Sequence, residues 1–265
     1  MILVTIGDTH IGSSTAIAPP TFTIHSGREL EIQEVKQNKL QEWLWNNWLD
    51  FWDYVKIRAK KNKLIVVCMG DVLDGVHHGS TQLIPEIEDQ KELAMRILEP
   101  VRNIANQFYG ILGTEAHAGQ NARHEIDIYD FLAADAFNQQ LTLDIDGFIH
   151  DFAHHGRVGQ RSWTSLGANL AADVIIDYAK QGMPPPRYIW RAHNHQIDDS
   201  GAKHECTRAI TIPSWQLKTT YVWWIKYGMV RSDIGGILWD SKTDQVDFSH
   251  ARYKAQPDER KIITA

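Results

Sequence analysis

Short apolar runs alternate with longer stretches of three- and four-residue periodicity over roughly the first two thirds of the chain. Residues 1–7 (MILVTIG) form a β-rich apolar run closed by glycine, and residues 64–70 (LIVVCMG) repeat it, which predicts two buried strands. Between them, residues 38–60 carry Leu40, Trp43, Leu44, Trp48, Phe51, Trp52, Val55 and Ile57 at helical spacing, predicting a helix with a wide apolar face. Residues 86–107 place Leu93, Ile97, Leu98, Val101 and Ile104 on one side of a second helix, which Pro100 should kink or split. A third short strand is expected over 109–113 and a third helix over 127–137.

The texture then turns to β. Residues 141–145 and 148–152 flank Asp146-Gly147, a dipeptide favoured in two-residue hairpins. Residues 166–180 are helical in pattern and stop ahead of Gly182, Met183 and the run Pro184, Pro185, Pro186. Residues 187–192, 209–212, 219–226, 235–240 and 245–253 read as strands, the last two joined by a polar turn over 241–244. Segment 13–33, with Pro19, Pro20 and Gly27, reads as a long irregular loop over the site discussed below. The order βαβα followed by mainly β predicts an α/β chain with a mixed-sheet core, organised as a single domain over residues 1–265.

Composition narrows the partners. Of 265 residues, 43% are hydrophobic and 23% charged, enough apolar material for a sizeable core. A formal net charge of −6 argues against a protein held to nucleic acid by bulk charge, though bound cations would offset that potential where a phosphate docks. Cys68 lies inside an apolar run and reads as a buried small hydrophobe, and with Cys206 as its only companion no disulfide scaffold is expected. No run is long enough to span a bilayer, and the first residues lack a basic region and a long apolar stretch, so a cytoplasmic protein with no membrane partner is expected.

Five clusters of acids and histidines sit at the ends of apolar runs: Asp8 and His10, Asp71, Glu115 and His117, His154 and His155, and His193 and His195. Asp8/His10 and His193/His195 are spaced i, i+2 after strands, so each pair can face one ion. Asp71 follows Gly70, where a missing side chain lets the loop approach closely. Each piece has a bland alternative: D-x-H recurs by chance, His-Asn-His can be a polar loop, and Asp71 can cap a turn. Their shared placement after strand-like runs points instead to a two-metal hydrolase, with a carboxylate bridging two cations.

These clusters resemble the signature of the calcineurin-like metallophosphoesterases. The matching residues are Gly7-Asp8-Thr9-His10, Gly70-Asp71, Gly113 to His117, His155-Gly156 and Ala192-His193-Asn194-His195. The resemblance implies a sandwich of two mixed β-sheets flanked by helices, and two divalent cations, with Mn favoured and Fe, Ni or Zn as options. It implies a first cation on Asp8, His10, Asp71 and His195, and a second on Asp71, His155, His193 and a residue of the third motif. The bound cations would clamp a phosphate and acidify a bridging water. The third motif departs from the pattern, because Thr114-Glu115-Ala116-His117 stands where Asn and His are expected. The first assignment makes Glu115 the oxygen ligand and His117 the general acid; the alternative gives His117 to the metal and the acid to a residue such as His124. His154 should point to the opposite strand face from His155, into the core or a supporting position.

His78 and Arg157 are candidate substrate contacts, with His77, Ser80, Arg123 and Arg161 as further candidates near the motifs. Asp74 reads as a turn or supporting carboxylate. Gly75 stands where protein phosphatases of the resembled family carry Arg, which weakens a protein-phosphatase reading. Ten tryptophans are many for this length. Trp163, Trp215, Trp223 and Trp224 are candidates for base stacking, against the plainer reading of core packing. The leading expectation is a phosphodiesterase or nuclease acting on nucleic acid or nucleotides. The alternatives are a phosphomonoesterase or small-nucleotide phosphatase, and a non-catalytic scaffold. The oligomeric state is open.

Overall fold

The computed structural model describes residues 1–26, 31–76, 82–156, 166–201, 206–219 and 231–254. The elements run β1 (Ile2–Ile6), β2 (Thr21–Ser26), β3 (Glu31–Lys36), α1 (Lys39–Ala59), β4 (Leu64–Cys68), α2 (Ile87–Ile104), β5 (Gln107–Ile111) and α3 (Glu115–Ala118). They continue with α4 (Arg123–Phe131), β6 (Ala136–Asn138), β7 (Gln140–Ile145), β8 (Phe148–Ala153), α5 (Leu166–Lys180), β9 (Tyr188–Arg191), β10 (Arg208–Thr211), β11 (Ile237–Asp240) and β12 (Gln245–Asp247).

Two mixed sheets carry the fold, ordered β12-β11-β1-β4-β5-β6 and β10-β9-β8-β7. In the first, β1, β4, β5 and β6 are parallel and β11 runs antiparallel to β1. In the second, β8, β9 and β10 are parallel and β7 closes a hairpin onto β8. Strands β1 and β4 are buried along their whole length, which explains their unbroken apolar runs. Ile2, Val4 and Ile6 join Leu64, Val66 and Cys68 in a core shared with Leu44 and Trp48 of α1 and Leu93 and Ile97 of α2. Leu3, Ile65 and Val67 point the other way and pack on Phe152, Trp190 and Ile210 of the second sheet. Helix α5 covers that sheet's outer side through Leu170 and Ala171 against Ile189 and Ala209. The layers are therefore helix, sheet, sheet, helix, the sandwich of two mixed sheets expected above.

Local signals explain several elements. Asn38 caps α1, accepting the N–H groups of Leu40 and Gln41, while the Gln41 side chain accepts that of Asn38. Asp146 and Gly147 both take positive φ (53° and 86°), as the β7–β8 hairpin turn demands. Trp215 is fully buried against Trp48, with ring centroids 4.9 Å apart, so it is core and not a base-stacking platform.

Other expectations change. Helix α2 is continuous through Pro100 rather than split; the proline lies on the helix's exposed side. Ile57 is on the solvent side of α1. The expected third helix starts earlier and stops at Phe131, because Ala133 turns left-handed (φ 48°) and Phe137 enters β6. Segment 13–33 is not one loop, since β2 within it pairs with β3 as a two-stranded hairpin. The expected strand over 245–253 shortens to β12. The strand expected over 219–226 lies, from residue 220 on, outside the described residues. Among the described residues, no helix is long and apolar enough to cross a membrane.

Candidate metal centre

Five strands end at one edge of the sandwich. The loops after β1, β4 and β5 carry Asp8 and His10, Asp71, and Thr114 to His117; those after β8 and β9 carry His154, His155, His193 and His195. Ligand sites in open α/β sheets form at such carboxyl ends. Backbone bonds stitch the loops together: Asp8 donates to the Gly70 carbonyl at 2.9 Å, His10 to that of Asp71 at 3.1 Å, and Ala192 to that of His154 at 3.0 Å.

The stitching takes unusual backbone. Asp8, His10, Asp71, His193 and His195 all have left-handed φ, between 43° and 70°. Each such non-glycine residue costs on the order of 1 kcal/mol, so the surrounding structure bears several kcal/mol to present these side chains. Close approach also requires glycine: a Cβ on Gly113 would lie 2.2 Å from Asp71 Oδ1, and one on Gly70 would lie 2.8 Å from Gly113 Cα.

The side chains fall into overlapping groups. Asp8, His10 and His195 form one, and His154, His155 and His193 the other, while Asp8 and Asp71 also group with His154. In the first, Asp8 Oδ1 is 3.4 Å from His195 Nε2 and 4.0 Å from the His10 ring. Beside the second, Asp71 Oδ2 is 3.0 Å from His154 Nε2 and 3.8 Å from His193 Nδ1. The Asp8 carboxylate reaches across: its Oδ1 is 4.0 Å from His154 Nε2, and both its oxygens accept the His193 backbone N–H at 3.2 Å. Asp8 and Asp71 thus both lie between the groups.

The ring tautomers show what the centre suits. His154 Nδ1 lies 2.6 Å from the Met69 carbonyl, which only accepts, so Nδ1 carries the proton and a neutral ring has its lone pair on Nε2. That nitrogen is fully buried, has no partner of hydrogen-bond geometry among the described residues, and faces the Asp71 carboxylate. His10 Nε2 meets His195 Nε2 at 3.1 Å, two like nitrogens aimed at one point. Lone pairs held this close repel unless a proton or a cation lies between them. Carbonyl-anchored imidazoles beside carboxylates are also the usual surroundings of a divalent metal, so the donor set fits such an ion.

Without an ion, the charges adjust by protonation. Burial alone would push the His154 imidazole down, but the Asp71 charge against it and Asp8 beside it raise it to about 10. Burial likewise pushes the Asp71 carboxyl up, yet His154 outweighs this and holds it well below the usual range. Burial, with His117 and His195 close by, lowers His10, and burial lowers His117 and His155. Burial raises Asp74 to about 7.

His154 is a correction. It does not face away from His155: their ring centroids are 4.9 Å apart, and both pack on His193. The alternation of β8 ends at Ala153, so the opposite-face rule does not reach residue 154. His154 is buried and His155 exposed. Glu115, the expected oxygen ligand, is exposed at the start of α3 and belongs to none of the groups. His117 packs edge-on against His10 with centroids 4.4 Å apart and joins His10 and Asp71. His77, His78, Ser80, Arg157, Arg161, Trp163, Trp223 and Trp224 lie outside the described residues.

Supporting residues escaped the sequence reading. Thr114 donates both its backbone N–H and its hydroxyl to Asp71 Oδ1, at 2.7 and 2.8 Å. Its place right after Gly113 at a strand end was a usable signal. Glu125, fully buried, accepts the N–H groups of Val72 at 2.9 Å and Gly113 at 2.6 Å, holding two loops at once. Gln90 bonds Gly75 N–H, Gly75 C=O and Ile84 C=O, which ties down the loop after Asp71. Gln216 donates to Asp74. Nothing local in the sequence marks these last three.

No protein-family model and no curated protein matches the chain. Among solved structures it is similar to Vps29 of Entamoeba histolytica in complex with Zn²⁺, at 12% identity and TM-score 0.47, covering 93% of this chain and 89% of that one. It is also similar to an archaeal phosphodiesterase, at 9% identity and TM-score 0.45, over 93% and 98% of the two chains. A third likeness is to the E. coli phosphoesterase YfcE, at 10% identity and TM-score 0.41, over 93% and 96%. What the centre can do is set by its own residues.

Proposed function

We propose that the chain is a metal-dependent phosphoester hydrolase with a dinuclear centre, acting on phosphodiesters of nucleic acids or nucleotides. The observation that carries the reading is the convergence of Asp8, His10, Asp71, His117, His154, His155, His193 and His195 in overlapping groups, with ring nitrogens close to one another and to carboxylates. Asp8, His10 and His195 would hold one cation, and His154, His155 and His193 with Asp71 the other, with Mn²⁺ the first choice for this mixed N/O set. Divalent cations held there would supply Lewis-acid catalysis, neutralising phosphoester oxygens and making water a nucleophile near neutral pH.

The chain's own residues supply orientation. The Met69 carbonyl fixes the His154 ring, and Thr114 holds one Asp71 oxygen so that the other faces His154. Exposed His155 and half-exposed His193 leave the centre open on one side, where an extended substrate has access. The preference for diesters rests on residue 75. A Cβ on Gly75 (φ 71°) would lie 2.6 Å from the Ala116 carbonyl, so no phosphate-gripping arginine fits there. Assays of bis-p-nitrophenyl phosphate, p-nitrophenyl phosphate and single-stranded DNA with Mn²⁺ test the proposal. Turnover of the diester and DNA supports it; cleavage of the monoester alone shifts the reading to a phosphomonoesterase, and no turnover with any cation makes the chain a scaffold.

A further inference from the structure

We infer that His117 is a cation ligand of this centre. The inference rests on the dinuclear reading above and concerns the segment Gly113 to His117. Thr114 spends its hydroxyl proton on Asp71 Oδ1, Glu115 is exposed, and Ala116 offers no ligand atom. His117 is the one side chain of this segment grouped with His10 and Asp71, their ligand atoms all within 4.8 Å of one another.

The tautomer suits the role of ligand. His117 Nδ1 lies 2.7 Å from the Asp74 carbonyl oxygen, which only accepts, so Nδ1 carries a proton. A neutral ring then presents a lone pair at Nε2, which is what a ligand needs. The anchoring repeats that of His154, whose Nδ1 is pinned to the Met69 carbonyl. Anchoring of one ring nitrogen on a backbone carbonyl orients the other toward a metal. Placement by α3 explains how a residue three positions beyond Thr114 arrives here: one helical turn after Thr114, bonded Ala118 N–H to Thr114 C=O at 2.7 Å, swings His117 back over Asp74.

The test is a cation titration of the full chain with Mn²⁺ by calorimetry, with metal counted after desalting, and with Co²⁺ followed by its visible absorption. Wild type, His117→Ala and His117→Gln are compared after circular dichroism confirms that each is folded. The inference expects wild type to take two cations, and His117→Ala to bind one of them at least tenfold more weakly with an altered Co²⁺ spectrum. His117→Gln, which offers an amide oxygen, recovers part of the affinity. If His117→Ala keeps both affinities within about twofold and the same spectrum, His117 is not a ligand, while the dinuclear reading stands. If wild type itself takes up no cation, the dinuclear reading falls, and this inference with it.

Discussion

Glu125 offers the sharpest thermodynamic test of how the centre is supported. Burial, with the Asp71 charge added, pushes its carboxyl from 4.5 to about 7. A folded value above the unfolded one means that the native state holds the proton more tightly. Its contribution to stability is therefore fully present below the unfolded value of 4.5 and is lost as pH rises through about 7. At about 1.4 kcal/mol per pH unit, the whole effect is on the order of 3 kcal/mol. Glu125→Gln imitates the protonated form: it keeps one oxygen for Val72 or Gly113 and titrates nowhere. Urea unfolding of both proteins in EDTA at several pH values reads the effect, and comparing them cancels the other titrations. The two are expected within about 1 kcal/mol of each other at pH 4.5, with the variant gaining about 3 kcal/mol relative to wild type by pH 8. Saturating Mn²⁺ should shrink the gain, because positive charge beside Asp71 favours the ionised carboxylate. A difference that is flat with pH, or one in which the variant falls behind as pH rises, refutes the reasoning.

Gly113→Ala forces a methyl to within 2.2 Å of Asp71 Oδ1, so cation affinity by calorimetry should drop at least tenfold, with about 1–3 kcal/mol of stability lost in urea. His25 Nδ1 lies 2.6 Å from Asp89 of α2, which raises the imidazole above its ordinary value; Asp89→Asn should return it toward 6.5, read by NMR titration. In that pair, stability is present below pH 6.5 and lost as pH rises through the folded value, so the β2–β3 hairpin should exchange its amides faster at alkaline pH beyond the intrinsic acceleration.

Legibility from sequence followed how local the determining physics is. Strands β1 and β4 were visible because burial on both faces leaves an unbroken apolar run, and the β7–β8 turn because Asp146-Gly147 suits positive φ. The end of α4 was hidden, since the left-handed residue is Ala133 and not a glycine. Hairpin β2–β3 was hidden because β3 is exposed on nearly every position and carries no apolar alternation. In the centre, the strand-end acids and histidines announced themselves by position. His154 was misplaced because a strand rule was extended one residue past the strand. Glu125, 54 residues beyond Asp71 in sequence, acts through backbone N–H groups, which no residue pattern records.

The central claim is tested most directly by a crystal of the full chain grown with Mn²⁺ and examined by anomalous scattering. The account predicts two peaks about 3.5–4 Å apart, one beside Asp8, His10 and His195 and the other beside Asp71, His154 and His193. A single peak, or none in this cluster at millimolar Mn²⁺, would contradict it.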